Sequence, residues 1–145
     1  MASPPVKGSG AVPSADLLGL RIDSLPALVR QVERGFSYQS LQAMESRSGI
    51  SVAQLAEIIG IPERTLARRK TSGRLSPDES ERLLRISRVF SQAMDLFEGE
   101  SVAALKWLTT TRRAFEHQTP LNYARTEIGA REVENLIGRM EDGVL

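Results

Sequence analysis

The sequence contains no cysteine and a single histidine, His117. Without cysteine, the chain has no disulfide, no thiol nucleophile and no thiolate metal ligand. One imidazole leaves little scope for histidine catalysis or a histidine metal site. The sequence also has no Gly-rich phosphate loop and no serine–histidine–acid pattern. These absences predict a protein that is not an enzyme and that has no catalytic residue, no bound metal and no cofactor.

Long hydrophobic runs are absent as well. No apolar run approaches the roughly 20 residues that a membrane span requires, and the segment MASPPVKGSGAVPSA lacks the apolar core of a signal peptide. We therefore expect a cytoplasmic protein with no membrane partner. The 145 residues, 41% of them hydrophobic, suffice for one compact domain or two small domains that share a core. Residues 1–15 are rich in Pro, Gly, Ser and Ala without apolar periodicity, which predicts a disordered segment.

The charges are unevenly distributed, although the net charge is only +1. Residues 64–74 carry five positive charges and no negative ones, whereas residues 126–145 carry five negative and two positive charges. A basic middle and an acidic end suggest two surfaces with different partners.

Apolar periodicity and capping signals predict an all-α protein. The predicted helices run from Ser24 to Gly35, Tyr38 to Glu45, Ser51 to Gly60, Pro62 to about Lys70, Pro77 to about Glu98, Ser101 to Leu108, and Gly129 to Gly143. The long helix from Pro77 has a broad apolar face. Either both halves of the chain bury this face, or part of it forms a dimer interface.

The two short helices over residues 51–70 fit a DNA-binding helix-turn-helix. The motif needs a small residue where the helices cross, here Ala56, and a turn glycine four residues later, here Gly60. It also needs apolar side chains that join both helices to the core, which Leu55, Ile59, Ile61 and Leu66 supply. The alternative is a solvated basic face, which the absence of acids in residues 64–74 argues against.

The second of these helices is expected to lie in the major groove. Arg64 and Arg68 are the best candidates for reading bases, because arginine can bind guanine O6 and N7 together. Arg69, Lys70 and Arg74 lie nearer the helix end and are predicted to contact phosphates. The full predicted DNA-binding set is Glu63, Arg64, Thr65, Arg68, Arg69, Lys70 and Arg74. Groove helices of this kind work as symmetric pairs, so we expect a homodimer on a palindromic operator.

The C-terminal third resembles the toxin-binding domain of Xre/MbcA/ParS antitoxins, which pair with RES-domain toxins. The residues that carry the resemblance are Trp107, Leu108, Thr119, Pro120, Leu121, Thr126, Gly129, Val133, Leu136, Ile137, Arg139 and Gly143. The segment IPERTLARRKTSGRLSPDESERLLR also resembles the central part of this family. The chain departs from the family at Thr111, Glu116 and His117, where a proline and paired glycines are common.

The resemblance implies an Xre/Cro-like helix-turn-helix bundle over residues 16–98, which represses its own operon, and a helical toxin-binding domain over residues 99–145. The second domain would block the active site of a NAD-degrading RES toxin. Such a toxin holds an anionic dinucleotide, so an acidic helix end with apolar terminal residues suits its cleft. The predicted toxin-binding residues are Arg139, Glu141, Asp142, Gly143, Val144 and Leu145.

Two other functions are compatible with the sequence. The first is a stand-alone helix-turn-helix transcription regulator whose C-terminal domain dimerises or senses a ligand. The second is a structural adaptor for which DNA binding has no consequence. A neighbouring gene for a RES toxin would favour the antitoxin over both.

Overall fold

The computed structural model describes residues 13–143, and over that range the chain is all-α. The helices are α1 (Pro13–Asp16), α2 (Leu25–Arg34), α3 (Gln39–Ser48), α4 (Val52–Ile58), α5 (Glu63–Ser72), α6 (Pro77–Leu96), α7 (Ser101–Leu108), α8 (Pro120–Tyr123) and α9 (Glu127–Glu141). A short 3-10 turn, Arg113–Phe115, lies between α7 and α8. The described residues form no strand beyond two isolated bridges, so the all-α prediction is confirmed.

Helix α6 is the centre of the fold. Its first turn is closed by a capping box, in which Ser76 and Glu79 each accept a hydrogen bond from the other's backbone N–H. Helices α1, α2, α3, α7 and α9 all pack against α6. Its buried side chains include Leu83, Ile86 and Phe90, which belong to one cluster with the buried residues of α4, α7 and α9. Side chains from both halves of the chain therefore bury the long apolar face.

Some helix boundaries differ from the predictions, and helix α9 begins at Glu127, two residues before its predicted start at Gly129. Residues 13–16 are helical and Ala15 is completely buried, so residues 13–15 do not belong to a disordered segment; residues 1–12 lie outside the described residues. The reason is that Ala15 and Leu18 pack into the core, a contact that the polar composition of the segment does not reveal. The serine pattern predicts Ser101 as the cap of α7, but Ser101 is its first helical residue, and Glu100 precedes it without a side-chain capping bond.

One face of α2 is only partly covered. Leu25, Leu28, Val29 and Val32 recur along this helix at helical spacing, and Leu28 is buried. Leu25 and Val29, however, are 69% and 55% exposed. Helical periodicity thus identifies an apolar stripe on α2 of which the monomer buries only part.

Candidate functional sites

Helices α4 and α5 form the predicted helix-turn-helix. Ser51 caps α4 through a capping box with Gln54, and the chain then turns at Gly60, whose φ of +76° is easy only for glycine. Ala56 is 2% exposed where the helices meet, and its carbonyl accepts a hydrogen bond from Ile61 N at 2.8 Å. Ala56 therefore allows the two helices to cross closely, and Gly60 supplies the left-handed turn between them.

Helix α5 projects from the core. It has no fully buried residue, and Leu66, which is half-buried, is among the side chains that hold it against the cluster. Glu63, Arg64, Arg68 and Lys70 are exposed. A helix with an exposed basic face and a narrow apolar anchor can enter a groove without unfolding the rest of the chain.

The three exposed basic residues of α5 have few internal partners. Within residues 13–143, Arg64, Arg68 and Lys70 take part in no ion pair. Arg68 Nη2 donates only to Thr65 Oγ1, at 3.3 Å on the same helix face. Arg64 and Arg68 are four residues apart and so lie on one side of α5, where both can reach the same ligand.

Arg69, which is predicted to contact phosphate, is engaged within the protein. Its Nε donates to Glu79 Oε1 at 2.8 Å and its Nη2 donates to Glu79 Oε2 at 3.1 Å. The Glu79 side chain is 8% exposed, so the pair is largely shielded from water. Arg69 therefore joins α5 to the start of α6. Sequence reasoning missed this role, because Glu79 lies outside the basic run over residues 64–74 and nothing local indicates that the two side chains meet.

Arg74 is also engaged within the protein. Its Nη1 donates to the Gly35 carbonyl at 2.6 Å, and its neighbour Leu75 donates its N–H to the Phe36 carbonyl at 2.8 Å. A side chain on Gly35 would overlap the Leu75 carbonyl, so glycine is required for this close approach. Arg74 thus ties the end of the helix-turn-helix to the α2–α3 connection.

Helix α9 is attached to α6 by a network of ion pairs. Arg88 Nη2 contacts Glu134 Oε1 at 2.9 Å and Glu127 Oε1 at 3.1 Å, and Arg85 Nε contacts Glu127 Oε2 at 3.0 Å. Burial by itself would raise the pKa of Glu127, but the hydrogen bond from Arg85 and the charge of Arg88 outweigh it and the pKa is lowered. Glu127 and Glu134, two of the five acids of residues 126–145, are therefore paired with arginines of α6.

The connection from α7 to α8 is held by aromatic contacts. The Arg112 guanidinium lies 5.0 Å from the centre of the Trp107 ring, and the rings of Phe115 and Tyr123 stack at 4.9 Å. Between them, Glu116 and His117 both have positive φ, +55° and +65°. Two exposed non-glycine residues therefore adopt the left-handed conformation in this connection.

The entry to α9 depends on close backbone packing. Thr126 caps the helix through a hydrogen bond from Gly129 N at 3.0 Å. A side chain at Gly129 would overlap the Tyr123 carbonyl oxygen, so only glycine allows α8 and α9 to meet in this way. Beyond this point Val133 and Ile137 are buried in the core.

The far end of α9 is open to solvent. Arg139, Glu141, Asp142 and Gly143 are all exposed, and none of their side chains forms an ion pair in the described part of the chain. Val144 and Leu145, which complete the predicted toxin-binding set, lie outside the described residues.

Residues 13–143 contain neither a metal-binding cluster nor a membrane-spanning helix. No group of three or more His, Asp or Glu side chains is placed to hold a metal ion there. Among these residues, no helix is both long enough and apolar enough to cross a membrane.

Comparison with known proteins gives matches to both halves of the chain. Residues 27–88 match the family model of the antitoxin Xre-like helix-turn-helix domain. Residues 92–143 match the model of the antitoxin Xre/MbcA/ParS C-terminal toxin-binding domain.

Similar curated proteins share most of this length. "Antitoxin Xre" of Yersinia enterocolitica is 39% identical over 128 residues, which are 88% of this chain and 86% of the relative. "Antitoxin Xre" of Photorhabdus laumondii is 33% identical over 129 residues, 88% of this chain and 87% of the relative. "Antitoxin Xre" of Pseudomonas putida is 29% identical over 114 residues, 78% of this chain and 70% of the relative.

Proposed function

The chain belongs to the Xre antitoxin family, and we propose that it neutralises a RES-domain toxin with the end of α9 and represses its own operon with α5. Membership of this family makes it an antitoxin of a toxin–antitoxin system, with a helix-turn-helix and a toxin-binding domain. It is a regulatory protein rather than an enzyme. The proposal concerns the identity of the toxin, the DNA target and the residues that contact each of them.

The observation that supports DNA reading is the free basic face of α5. Arg64 and Arg68 lie on one side of an exposed helix and form no ion pair within residues 13–143. Each guanidinium can bind a guanine edge with two hydrogen bonds, which discriminates by about 1–3 kcal/mol. Lys70 is equally free and suits a phosphate. Glu63 and Thr65 complete the face at its N-terminal end, and two such helices in a homodimer would read a palindromic operator.

Arg69 and Arg74 have a different role in this proposal. Both retain some exposure, but their guanidinium groups already bond to Glu79 and to the Gly35 carbonyl. They position α5 and its C-terminal turn, and their contribution to DNA binding is indirect.

The toxin contact is assigned to the exposed end of α9. RES toxins, as the family resemblance implies, degrade NAD, and a cleft that holds this anionic dinucleotide is expected to be basic. Glu127 and Glu134 are engaged by Arg85 and Arg88, so they are not available to such a cleft. Glu141 and Asp142 are exposed without an ion pair in the described residues, and they supply charge that accelerates association with a basic surface.

The test is co-expression with the neighbouring gene in the cytoplasm, where we place both partners. We expect the neighbouring protein alone to stop growth and to lower cellular NAD, and the antitoxin to restore both and to co-purify with it. An R64A/R68A double variant should still restore growth, because α5 does not take part in the toxin contact. Co-purification without recovery of NAD would contradict the proposed blocking of the active site.

A further inference from the structure

An apolar groove lies between α2 and the start of α6. Leu28, Val32 and Leu84 line it, together with Leu25 and Val29 on its α2 edge. Leu25 is 69% exposed and Val29 is 55% exposed, although other apolar residues of the neighbouring helices are buried or half-buried. A contiguous apolar patch of this kind is typical of a surface that another protein covers.

The shape of the patch suits a copy of itself. Leu25 and Val29 are one helical turn apart and form a ridge along α2, and the groove runs beside that ridge. In a two-fold symmetric contact, each protomer offers the same patch, so the ridge of one α2 can enter the groove of the other. Because one chain carries both the ridge and the groove, two identical chains can cover each other's apolar patch.

The charges around the patch are also self-complementary. Three acids, Glu33, Asp78 and Glu81, border the groove, while Arg30 and Arg34 lie further round α2. All five side chains are exposed, and none forms an ion pair within residues 13–143. A two-fold contact can therefore pair the arginines of one α2 with the acids that border the groove of the other copy.

The other expected ligands of this protein do not fit the groove. Nucleic acid is repelled by the three acids on its border. The match to a toxin-binding domain covers residues 92–143, and every residue that lines the groove lies before that range. The groove also contains no residue of α5, so a partner seated in it leaves the basic face of α5 exposed.

We propose that the α2–α6 groove is the homodimer interface, in which the Leu25–Val29 ridge of each protomer packs against α2 and α6 of the other. This inference rests on the proposed function for one point, namely that a homodimer binds a palindromic operator. The surface itself is defined by the exposed apolar ridge and the surrounding charges, independently of DNA and toxin.

Sedimentation equilibrium on the full chain, without DNA or toxin, tests the interface. We expect V29D to weaken dimerisation by about 100-fold, because the two-fold axis places two unpaired carboxylates in an apolar contact. V102D is the matched control, since Val102 is 80% exposed on α7, away from the groove, and this variant should dimerise like the wild type. Circular dichroism checks that both variants fold. A wild type that stays monomeric, or a V29D variant that dimerises normally, would overturn the proposal.

Crosslinking provides a second measurement, because the natural chain has no cysteine. V29C places one thiol near the middle of α2, and a short bis-maleimide should link two chains efficiently, whereas V102C should not be linked. Absence of the V29C crosslink would overturn the pairing of α2 with α2. Toxin neutralisation by V29D should persist; if the wild type itself fails to neutralise a RES toxin, the proposed function fails while the sedimentation result is unaffected.

Discussion

Arg69 and Glu79 form a doubly hydrogen-bonded ion pair that joins the C-terminal half of α5 to the first turn of α6. The same Glu79 carboxylate accepts the Ser76 N–H at 2.8 Å and so closes the α6 capping box. One buried carboxylate therefore stabilises the start of the central helix and fixes the direction of the helix that we assign to DNA.

We expect E79Q to lower the free energy of unfolding by about 2 kcal/mol at pH 7, because a charge-assisted pair is lost from a shielded position. Burial alone would raise the pKa of Glu79, but the hydrogen bonds from Arg69 and Ser76 outweigh it and hold the pKa below its ordinary value of 4.5. A folded-state pKa below the unfolded one stabilises the fold fully above pH 4.5 and loses that effect as the pH falls through the folded value.

Between pH 6 and pH 3, the difference in stability between the wild type and E79Q should therefore stay constant down to about pH 4.5 and shrink below it, as measured by urea unfolding. D95N is the control, because Asp95 lies on the same helix, is exposed, and forms no ion pair within residues 13–143. A difference that stays constant over this pH range would show that the charge of Glu79 does not stabilise the fold.

Single substitutions in α5 should separate DNA reading from helix positioning. We expect R64A or R68A to reduce the preference for the operator over scrambled DNA by about 1–3 kcal/mol without changing thermal stability. R69A should instead lower the melting temperature, since it removes the partner of Glu79. Fluorescence anisotropy and thermal melts measure the two effects, and R21A serves as an exposed arginine outside α5. Equal loss of operator preference in R69A, with an unchanged melting temperature, would contradict these roles.

Two glycines of α9 should respond in opposite ways to alanine. G129A forces a methyl group against the Tyr123 carbonyl, so we expect a loss of about 1–3 kcal/mol. At Gly138 a methyl group meets nothing within 4 Å, and G138A should stabilise the helix by up to about 1 kcal/mol. Chemical unfolding of both variants gives the comparison. A neutral G129A would mean that α8 and α9 pack less closely than described.

Removal of residues 142–145 should abolish toxin neutralisation while leaving operator binding and the melting temperature unchanged. The melting temperature should not change, because Asp142 is exposed at the end of α9 and does not belong to the hydrophobic core. Growth rescue and NAD measurement provide the readout, and D95K, a charge reversal at the exposed end of α6, is the control for acidity alone. Unimpaired rescue by the shortened chain would place the toxin contact elsewhere on the protein.

Local signals in the sequence predict much of the fold. Ser24, Ser51 and Gly60 mark helix ends because capping and left-handed backbone depend on residues only a few positions apart. The crossing at Ala56 follows from motif spacing in the same way. These features need no knowledge of how distant parts of the chain meet.

The sequence does not predict which charged side chains pair with each other. The basic run over residues 64–74 contains both free and engaged arginines, and only the contact with Glu79 distinguishes Arg69 from Arg68. The acids of α9 divide similarly, because Arg88 faces Glu134 across a separation of 46 residues. The sequence shows which residues are charged. Only the tertiary contacts show which of these charges are free to bind a partner molecule.

The position of α6 has a consequence for chimeras that join this helix-turn-helix half to the C-terminal half of another protein. Its first turn holds α5 through Glu79, and Arg85 and Arg88 hold α9. A chimera joined at residue 98 would exchange α9 while keeping the arginines that were matched to the old one. Such a chimera stays stable only where the new α9 places acids opposite Arg85 and Arg88, as Glu127 and Glu134 do here.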